Sequence, residues 1–149
     1  MNVRQISTAP PPRVLVVGCP AEHRPSFLET FASMTTRFVE TPQLAAAARG
    51  DDAGAVELMV FDLRWAPLDD IGSVRTVAES SACRLVPTLF LADSEATERR
   101  ALEGYGPAGM TDAVVGRVAP ALLLAKARSL LELDRSRRAA ARCCLCHPV

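Results

Sequence analysis

The sequence predicts a single α/β domain in which the five strands of a parallel sheet alternate with five helices. Short apolar, β-branched runs alternate along the chain with segments that carry apolar residues at helical spacing. The first, third and fourth of these runs are continuously apolar, as is typical of strands buried on both faces. The 149 residues suffice for one such domain with a hydrophobic core. The pattern therefore favours a doubly wound (βα)5 fold, with helices on both faces of the sheet.

Five segments have the composition of strands. The first, "RVLVVG", is a β-branched run closed by glycine, and the others are bounded by turn residues or helix signals in the same way. Pro87 falls inside the fourth segment, where it is expected to remove one hydrogen-bond donor from the ladder. The predicted strands are 13–18, 36–41, 56–62, 84–92 and 111–116.

Five further segments have helical spacing together with start or stop signals. Thr41 and Ser94 are N-cap candidates, and Pro25 and Pro120 fall in first turns, where a missing N–H costs little. Gly50 is a typical stop for the second helix. The predicted helices are 21–34, 41–50, 68–81, 94–106 and 119–142.

The predicted domain spans 13–133 and is flanked by two segments of different composition. Residues 1–12 read as a flexible arm stiffened by prolines, and 134–149 as a helical extension with a cysteine-rich tail. The last helix should be continuous from 120 to about 138, with its arginines exposed. Its buried residues should include Leu123, Leu130 and Leu131.

Composition argues against several classes of function. The formal net charge is zero, so no electrostatic attraction to nucleic acid or to an anionic membrane is expected. The apolar runs are strand-sized, and the N-terminus lacks the apolar core of a signal peptide. The five cysteines are not spaced as a disulfide framework. A cytoplasmic location is therefore expected.

The third strand ends on a carboxylate. In "VELMVFD" an apolar run is followed directly by Asp62. Loops that carry function in parallel α/β sheets follow the carboxyl ends of the strands. Asp62 is therefore expected at the mouth of a site and not in the core.

Four segments, in order and at suitable separations, resemble the receiver domain of two-component response regulators. They are "VLVVGCPAE", "ELMVFDLRWAPLDDIG", "LVPTLFLAD" and "GMTDAVVGRVAPALLLAKARSLLEL". The resemblance covers 13–133 and implies a flavodoxin/CheY-like fold with strand order 2-1-3-4-5. It places Asp62 at the position of the family's phosphoacceptor aspartate.

The same resemblance implies active-site residues that this chain lacks. The family has an acidic pair after the first strand, a hydroxyl at the end of the fourth and a Lys-Pro pair after the fifth. A hydroxyl does occur nearby, on Ser94. The positions in question hold Gly18 and Cys19 (the acidic pair), Ala92 (the hydroxyl), and Gly116 with Arg117 (the Lys-Pro pair).

These departures predict a receiver that no longer accepts phosphate efficiently. Mg²⁺ prefers several oxygen ligands, and a single carboxylate is a poor site, so no cofactor is expected. Mg²⁺ would be required only if Asp62 is still phosphorylated. Losing even one charge-stabilising donor costs roughly 10²–10³-fold in rate. Asp62 is instead expected to be vestigial, in an ordinary surface ion pair with Arg64 or Arg117 worth about 0–1 kcal/mol.

The leading hypothesis is thus a degenerate receiver, not an enzyme, that acts by binding a protein. The partner would be a histidine kinase, an output domain or a second copy of the chain. One alternative is a working, atypical receiver phosphorylated on Asp62. Another is a small flavodoxin-like enzyme or cofactor binder, although no phosphate loop or catalytic Cys–His pair supports it. The expected contact face, on the fourth helix, fifth strand and fifth helix, comprises Ala101, Tyr105, Val114, Leu123, Ala127 and Leu130.

Four other features of the sequence can be explained without a catalytic role. Trp65 is either a binding anchor or packing over the vacated acidic pocket. His23 is expected to be solvated, and Asp69 and Asp70 to compensate a helix dipole. The tail residues Cys143, Cys144, Cys146 and His147 crowd into one short stretch, which is unlike the paired ligand spacing of a zinc site.

Overall fold

One five-stranded sheet forms the centre of the molecule. The structure is a computed structural model that describes residues 10–40, 56–65, 86–105 and 111–146, with the backbone alone at 104–105 and 142–146. Its strands are β1 (Arg13–Val17), β2 (Thr35–Val39), β3 (Leu58–Asp62), β4 (Thr88–Ala92) and β5 (Thr111–Val115). All paired strands are parallel, and their order is β2-β1-β3-β4-β5. The predicted sheet and strand order are confirmed.

Three α-helices occur in the described part of the chain. They are α1 (Arg24–Thr30), preceded by a 3-10 turn at Ala21–His23, α2 (Glu95–Tyr105) and α3 (Pro120–Cys146). The prediction of a first helix through residue 34 was too long. Residues 31–34 form a turn that leads into β2, where the Thr35 N–H donates to the Pro12 carbonyl at 2.8 Å. The predicted helices 41–50 and 68–81 lie outside the described residues.

The start of β4 also differs from the prediction. The strand begins at Thr88, so Pro87 precedes it and removes no donor from within the strand. The Pro87 carbonyl accepts a hydrogen bond from the Met59 N–H at 3.0 Å. The Ser94 cap is confirmed, because the Thr97 N–H at the start of α2 donates to the Ser94 hydroxyl at 3.2 Å.

Both faces of the sheet are buried, as a doubly wound fold requires. Successive residues of a strand point to opposite faces, so β1, β3 and β4 supply side chains to two hydrophobic layers. One layer packs against α2 and includes Leu15, Val17, Met59, Phe61, Phe90 and Ala101. The other packs against α1 and α3 and includes Val16, Val60, Leu91, Phe27, Phe31, Leu123, Ala127 and Leu130.

Five of the six residues of the predicted contact face belong to these two layers and not to the surface. Val114 is 8% exposed and Ala127 fully buried, so these side chains cannot contact a partner. The helical spacing that singled them out marks the side turned towards the chain's own sheet. The side chain of Tyr105 lies outside the described residues. The buried members of the predicted face are Ala101, Val114, Leu123, Ala127 and Leu130.

The last helix is longer than expected. It runs without a break to Cys146, and Leu123, Leu130 and Leu131 are buried as predicted. The expectation that all its arginines are exposed is wrong for Arg137, which is partly buried and donates to the Asp134 carboxylate at 2.8 Å. None of the helices in the described ranges is long and apolar enough to cross a membrane.

Candidate functional site

The positions named from the resemblance meet at the carboxyl edge of the sheet. Strand pairing places the ends of β1, β3, β4 and β5 side by side there. Asp62 ends β3 and Ala92 ends β4, and the N–H of Gly116 donates to the Ala92 carbonyl at 2.9 Å. The residues brought to this edge are Gly18, Cys19, Asp62, Ala92, Gly116 and Arg117.

Two glycines shape this edge through their backbone conformation. Gly18 has φ 81° and Gly116 has φ 78°, a left-handed region that strains residues with a Cβ. A Cβ built on Gly116 would meet nothing within 4 Å, so the backbone angle and not crowding favours glycine there. A lysine at position 116, as the resemblance implies for the family, would be strained in this conformation.

Arg64 forms a bidentate ion pair with Asp62, and this pair is called the clasp. The guanidinium donates from Nε to Oδ1 and from Nη2 to Oδ2, each at 2.9 Å, and the Arg64 backbone N–H reaches Oδ1 at 3.2 Å. The Asp62 side chain is 0% exposed and that of Arg64 is 24% exposed. The hydrogen bond to Asp62 raises the pKa of Arg64, in opposition to the burial of the guanidinium. Of the two predicted partners, Arg64 and Arg117, Asp62 pairs with Arg64, but the expectation of an exposed surface pair is wrong.

The residues around Asp62 offer few oxygen ligands for a magnesium ion. Both oxygens of Asp62 already accept charge-assisted hydrogen bonds from a cation. The neighbouring Cys19 is buried and Ala92 is 0% exposed, and neither side chain carries an oxygen. Across the described residues, no cluster of three metal-ligating side chains occurs. The residues at this edge do not fit Mg²⁺, which requires several oxygen ligands.

Cys19 follows β1 and lies near Asp62 at the same edge of the sheet. Its burial, followed by the nearby Asp62 carboxylate, raises the pKa of its thiol to about 11. Its Sγ lies 3.4 Å from the Pro20 carbonyl, and Arg24 Nε donates to the Cys19 carbonyl at 3.3 Å. A thiol that stays protonated at neutral pH is neither an activated nucleophile nor a ready metal ligand.

His23 and Trp65 form an aromatic stack next to the clasp. The rings of His23 and Trp65 lie 4.4 Å apart with an interplanar angle of 12°. The Arg64 guanidinium lies 5.8 Å from the Trp65 ring centre. His23 is therefore partly buried against Trp65, and the expectation of a solvated histidine is wrong. Trp65 is 51% exposed, and both of its interpretations, a binding anchor or packing over the vacated acidic pocket, stay predictions.

A cavity of about 530 Å³ lies next to this stack, between α1, the end of β3 and the start of α3. Sequence reasoning missed the residues that α1 contributes and also Asp93, although Asp93 directly follows β4 at the functional edge. The Thr97 hydroxyl donates to Asp93 Oδ1 at 2.7 Å and lowers the pKa of that carboxyl. The lining residues are His23, Ser26, Phe27, Thr30, Arg64, Trp65, Leu91, Asp93, Gly116, Arg117, Val118, Pro120 and Leu123.

Two groups of predicted residues lie beyond these observations. Asp69 and Asp70 fall outside the described residues, as does His147. The backbone of α3 includes the tail cysteines, whose side chains are not described.

Comparison with solved structures identifies the fold. No family model and no curated protein matches the sequence. The chemotaxis protein CheY4 from Vibrio cholerae matches with a TM-score of 0.64 at 19% identity, over 80% of this chain and 98% of that chain. The receiver domain of a sensor histidine kinase from Pseudomonas aeruginosa, with a magnesium ion in its active-site cleft, matches with a TM-score of 0.63 at 18% identity. That match covers 83% of this chain and 99% of the other.

A third similar structure comes from a protein described as pilus assembly-related, from Burkholderia pseudomallei. Its TM-score is 0.64 at 12% identity, over 81% of this chain and 90% of that chain. Together with the strand order, these likenesses show that the chain has the CheY-like receiver fold.

Proposed function

We propose that this chain is a receiver-like module of a two-component system that acts by binding a protein and is not efficiently phosphorylated. The observation that carries the proposal is the clasp on Asp62, whose two carboxylate oxygens both accept hydrogen bonds from Arg64. Both oxygens share their negative charge with the guanidinium, which makes the carboxylate a weaker nucleophile towards a phosphoryl group.

The surrounding residues support the same proposal. Phosphoryl transfer depends on groups that position the reactants and neutralise negative charge in the transition state. The magnesium-bound receiver from P. aeruginosa holds a metal in its cleft, whereas here a guanidinium lies on the carboxylate. Cys19 and Ala92 offer neither a carboxylate nor a hydroxyl at the neighbouring strand ends.

The partner would dock on the exposed side of α2, β5 and α3. β5 is the last strand of the sheet, and most of its residues are partly exposed. Lys126 of α3 donates to the Asp112 carboxylate of β5 at 3.0 Å, which places both residues at this edge. Leu122 lies one helical turn before Lys126 and is 47% exposed. These three residues replace the buried set that the sequence suggested.

The class of partner is a protein: a histidine kinase, an output domain or a second copy of the chain. Solved structures with this fold include the receiver domain of a sensor kinase and a protein that combines a response regulator with a GGDEF domain.

Phosphodonor treatment tests the chemical part of the proposal. The protein is incubated with Mg²⁺ and either acetyl phosphate or beryllofluoride, and is then examined by intact mass and amide hydrogen exchange. We expect no added phosphoryl mass and no change in protection of α2, with Asp62→Asn behaving like the wild type. Stoichiometric modification that disappears in Asp62→Asn would instead establish the alternative, a working receiver.

A pair of matched leucine substitutions tests the docking surface. Leu122→Glu places a charge on the proposed face, and Leu28→Glu places one on α1, where Leu28 is similarly exposed at 50%. Self-association is measured by sedimentation equilibrium, and binding of other proteins by quantitative affinity purification. Leu122→Glu should lose the partner and Leu28→Glu should keep it. Equal binding by both variants would show that the face is elsewhere.

A further inference from the structure

Arg64 is the more exposed partner of the clasp. Its side chain is 24% exposed, whereas the carboxylate that it contacts is 0% exposed. An arginine side chain has several rotatable bonds, and holding it in one conformation costs conformational entropy. Because both oxygens of Asp62 contact the guanidinium, the carboxylate can meet solvent only after the guanidinium moves. The groups that restrain the Arg64 side chain therefore determine how well Asp62 is covered.

Trp65 follows Arg64 directly and lies against its guanidinium. The distance from Arg64 Cζ to the Trp65 ring centre is 5.8 Å, within the range of about 6 Å over which a cation and an aromatic ring attract each other. The indole is itself 51% exposed, so burial in the core does not fix its position. It can restrain the guanidinium only if another group holds the ring in place.

His23 supplies that support from the segment after β1. Its imidazole lies 4.4 Å from the indole with an interplanar angle of 12°, a stacked arrangement that stabilises aromatic pairs. The backbone N–H of His23 donates to the Pro20 carbonyl at 3.0 Å, and the next residue, Arg24, donates from Nε to the Cys19 carbonyl at 3.3 Å. The imidazole is thus attached to a backbone segment that hydrogen bonds tie to the end of β1.

We propose that His23 and Trp65 are positioning residues of the clasp, whose stack holds the Arg64 guanidinium on Asp62 and so keeps the carboxylate away from solvent. The contacts run in series from the imidazole through the indole and the guanidinium to the carboxylate. This inference rests on the proposed function, because it names the residues that hold Asp62 in its paired, poorly reactive state. Removing either ring should loosen the clasp without removing any group that contacts Asp62.

The Arg64 Nε–H signal reports on the clasp directly. In ¹H–¹⁵N spectra of the full chain, a proton that Arg64 Nε donates to Asp62 Oδ1 at 2.9 Å should exchange slowly with water. Trp65→Ala and His23→Ala should each speed this exchange roughly three- to tenfold, as expected from the loss of one ring contact. Trp65→Phe keeps a ring and should restore slow exchange. Leu28→Ala removes a similarly exposed apolar side chain from α1 and should leave the exchange rate unchanged.

Chemical labelling measures the exposure of the carboxylate itself. The protein is treated with a water-soluble carbodiimide and an amine, and the labelling rate of each carboxyl group is read by peptide mass spectrometry. Asp62 should be labelled slowly in the wild type and roughly three- to tenfold faster in Trp65→Ala and His23→Ala. Asp112, whose side chain is 42% exposed, is the internal reference and should be labelled at the same rate in every variant. Circular dichroism checks that the variants are folded.

Two results would overturn the proposal. One is wild-type exchange of the Arg64 Nε–H together with wild-type labelling of Asp62 in both Trp65→Ala and His23→Ala. The other is a Trp65→Phe variant that behaves like Trp65→Ala, because the ring would then not be what holds the guanidinium. Failure of the proposed function would look different, since the wild-type protein itself would then take up a phosphoryl group on Asp62.

Discussion

Two ion pairs of nearly equal length occupy opposite environments in this molecule. Arg64 and Asp62 meet at 2.9 Å at the centre of the carboxyl edge, and Lys126 and Asp112 meet at 3.0 Å at the outer strand. The first pair has side chains 24% and 0% exposed, whereas the second has 31% and 42%. The first is bidentate through a planar guanidinium, and the second is a single contact from a flexible ammonium.

The difference shows that burial, and not the distance between the charges, determines how strongly each charge depends on its partner. A pair removed from water interacts strongly, but each charge has lost its hydration and depends on its partner. An exposed pair is screened by water and salt and can exchange its partner. Asp62 is thus paired with an internal cation, while Asp112 and Lys126 keep contact with solvent.

The largest effect should come from removing the cation of the buried pair. Arg64→Met leaves the Asp62 carboxylate buried without its main partner, so we expect the free energy of unfolding to fall by about 3–5 kcal/mol. Urea denaturation at neutral pH measures this loss.

Two further variants distinguish a lost charge partner from lost packing. Asp62→Asn leaves Arg64 partly exposed and able to reach water, so we expect a smaller loss of roughly 1–3 kcal/mol. The double variant should be more stable than Arg64→Met alone, because it no longer contains an unpaired buried charge. If Arg64→Met is as stable as the wild type, the clasp does not hold Asp62 in solution.

The second prediction concerns the thiol near the clasp. The pKa of Cys19 is raised from 9.0 to about 11 in the folded protein, so the unfolded chain loses this proton first as pH rises. The protonated thiol therefore contributes to the free energy of unfolding fully below about pH 9, and this contribution is lost between pH 9 and about pH 11. Cys19→Ala should abolish this part of the pH dependence of urea denaturation. A wild-type and Cys19→Ala difference that stays constant from pH 8 to 11 would contradict it.

The architecture was predictable from the sequence because each strand and helix carries its own periodicity. The β-branched run of β1 and the apolar run of β3 identify strands without knowledge of their neighbours. The fully buried β3 and β4 agree with continuous apolar runs in a doubly wound sheet. The strand order came from the resemblance, and the order found is the same.

The site was predictable in part. The sequence predicted the position of Asp62 and two candidate partners, Arg64 and Arg117, but the burial of the pair depends on tertiary packing that local sequence does not encode. The stack of His23 on Trp65 joins two loops that are 42 positions apart in the sequence. Adjacency of β1 and β3 in the predicted strand order was the one signal that could have suggested it.

The contact face was mispredicted for a different physical reason. Apolar residues at three- and four-residue spacing show that one side of a helix is buried, but not whether its own sheet or another protein buries it. In α3 the chain's own sheet buries this side, because Leu123 and Ala127 pack against it. The neighbouring residues Leu122, which is exposed, and Lys126, which is partly exposed, lie outside this buried side, and periodicity alone does not mark them as a contact surface.

The smallest effect should come from breaking the exposed pair. Lys126→Met removes one flexible cation from a partly solvated contact, so the free energy of unfolding should fall by only about 0.2–1 kcal/mol. Arg128→Met, an exposed substitution on the same helix, is the matched control.

Salt distinguishes this exposed pair from the buried one, since a Debye length of about 3 Å at 1 M salt screens exposed charges. The difference between Lys126→Met and wild type should therefore vanish in 1 M NaCl, whereas the loss in Arg64→Met should persist. If the Lys126→Met loss is several kcal/mol and insensitive to salt, then Asp112 and Lys126 form a structural pair like the clasp, and this edge would not be free for the exchange of partners that the proposed docking requires.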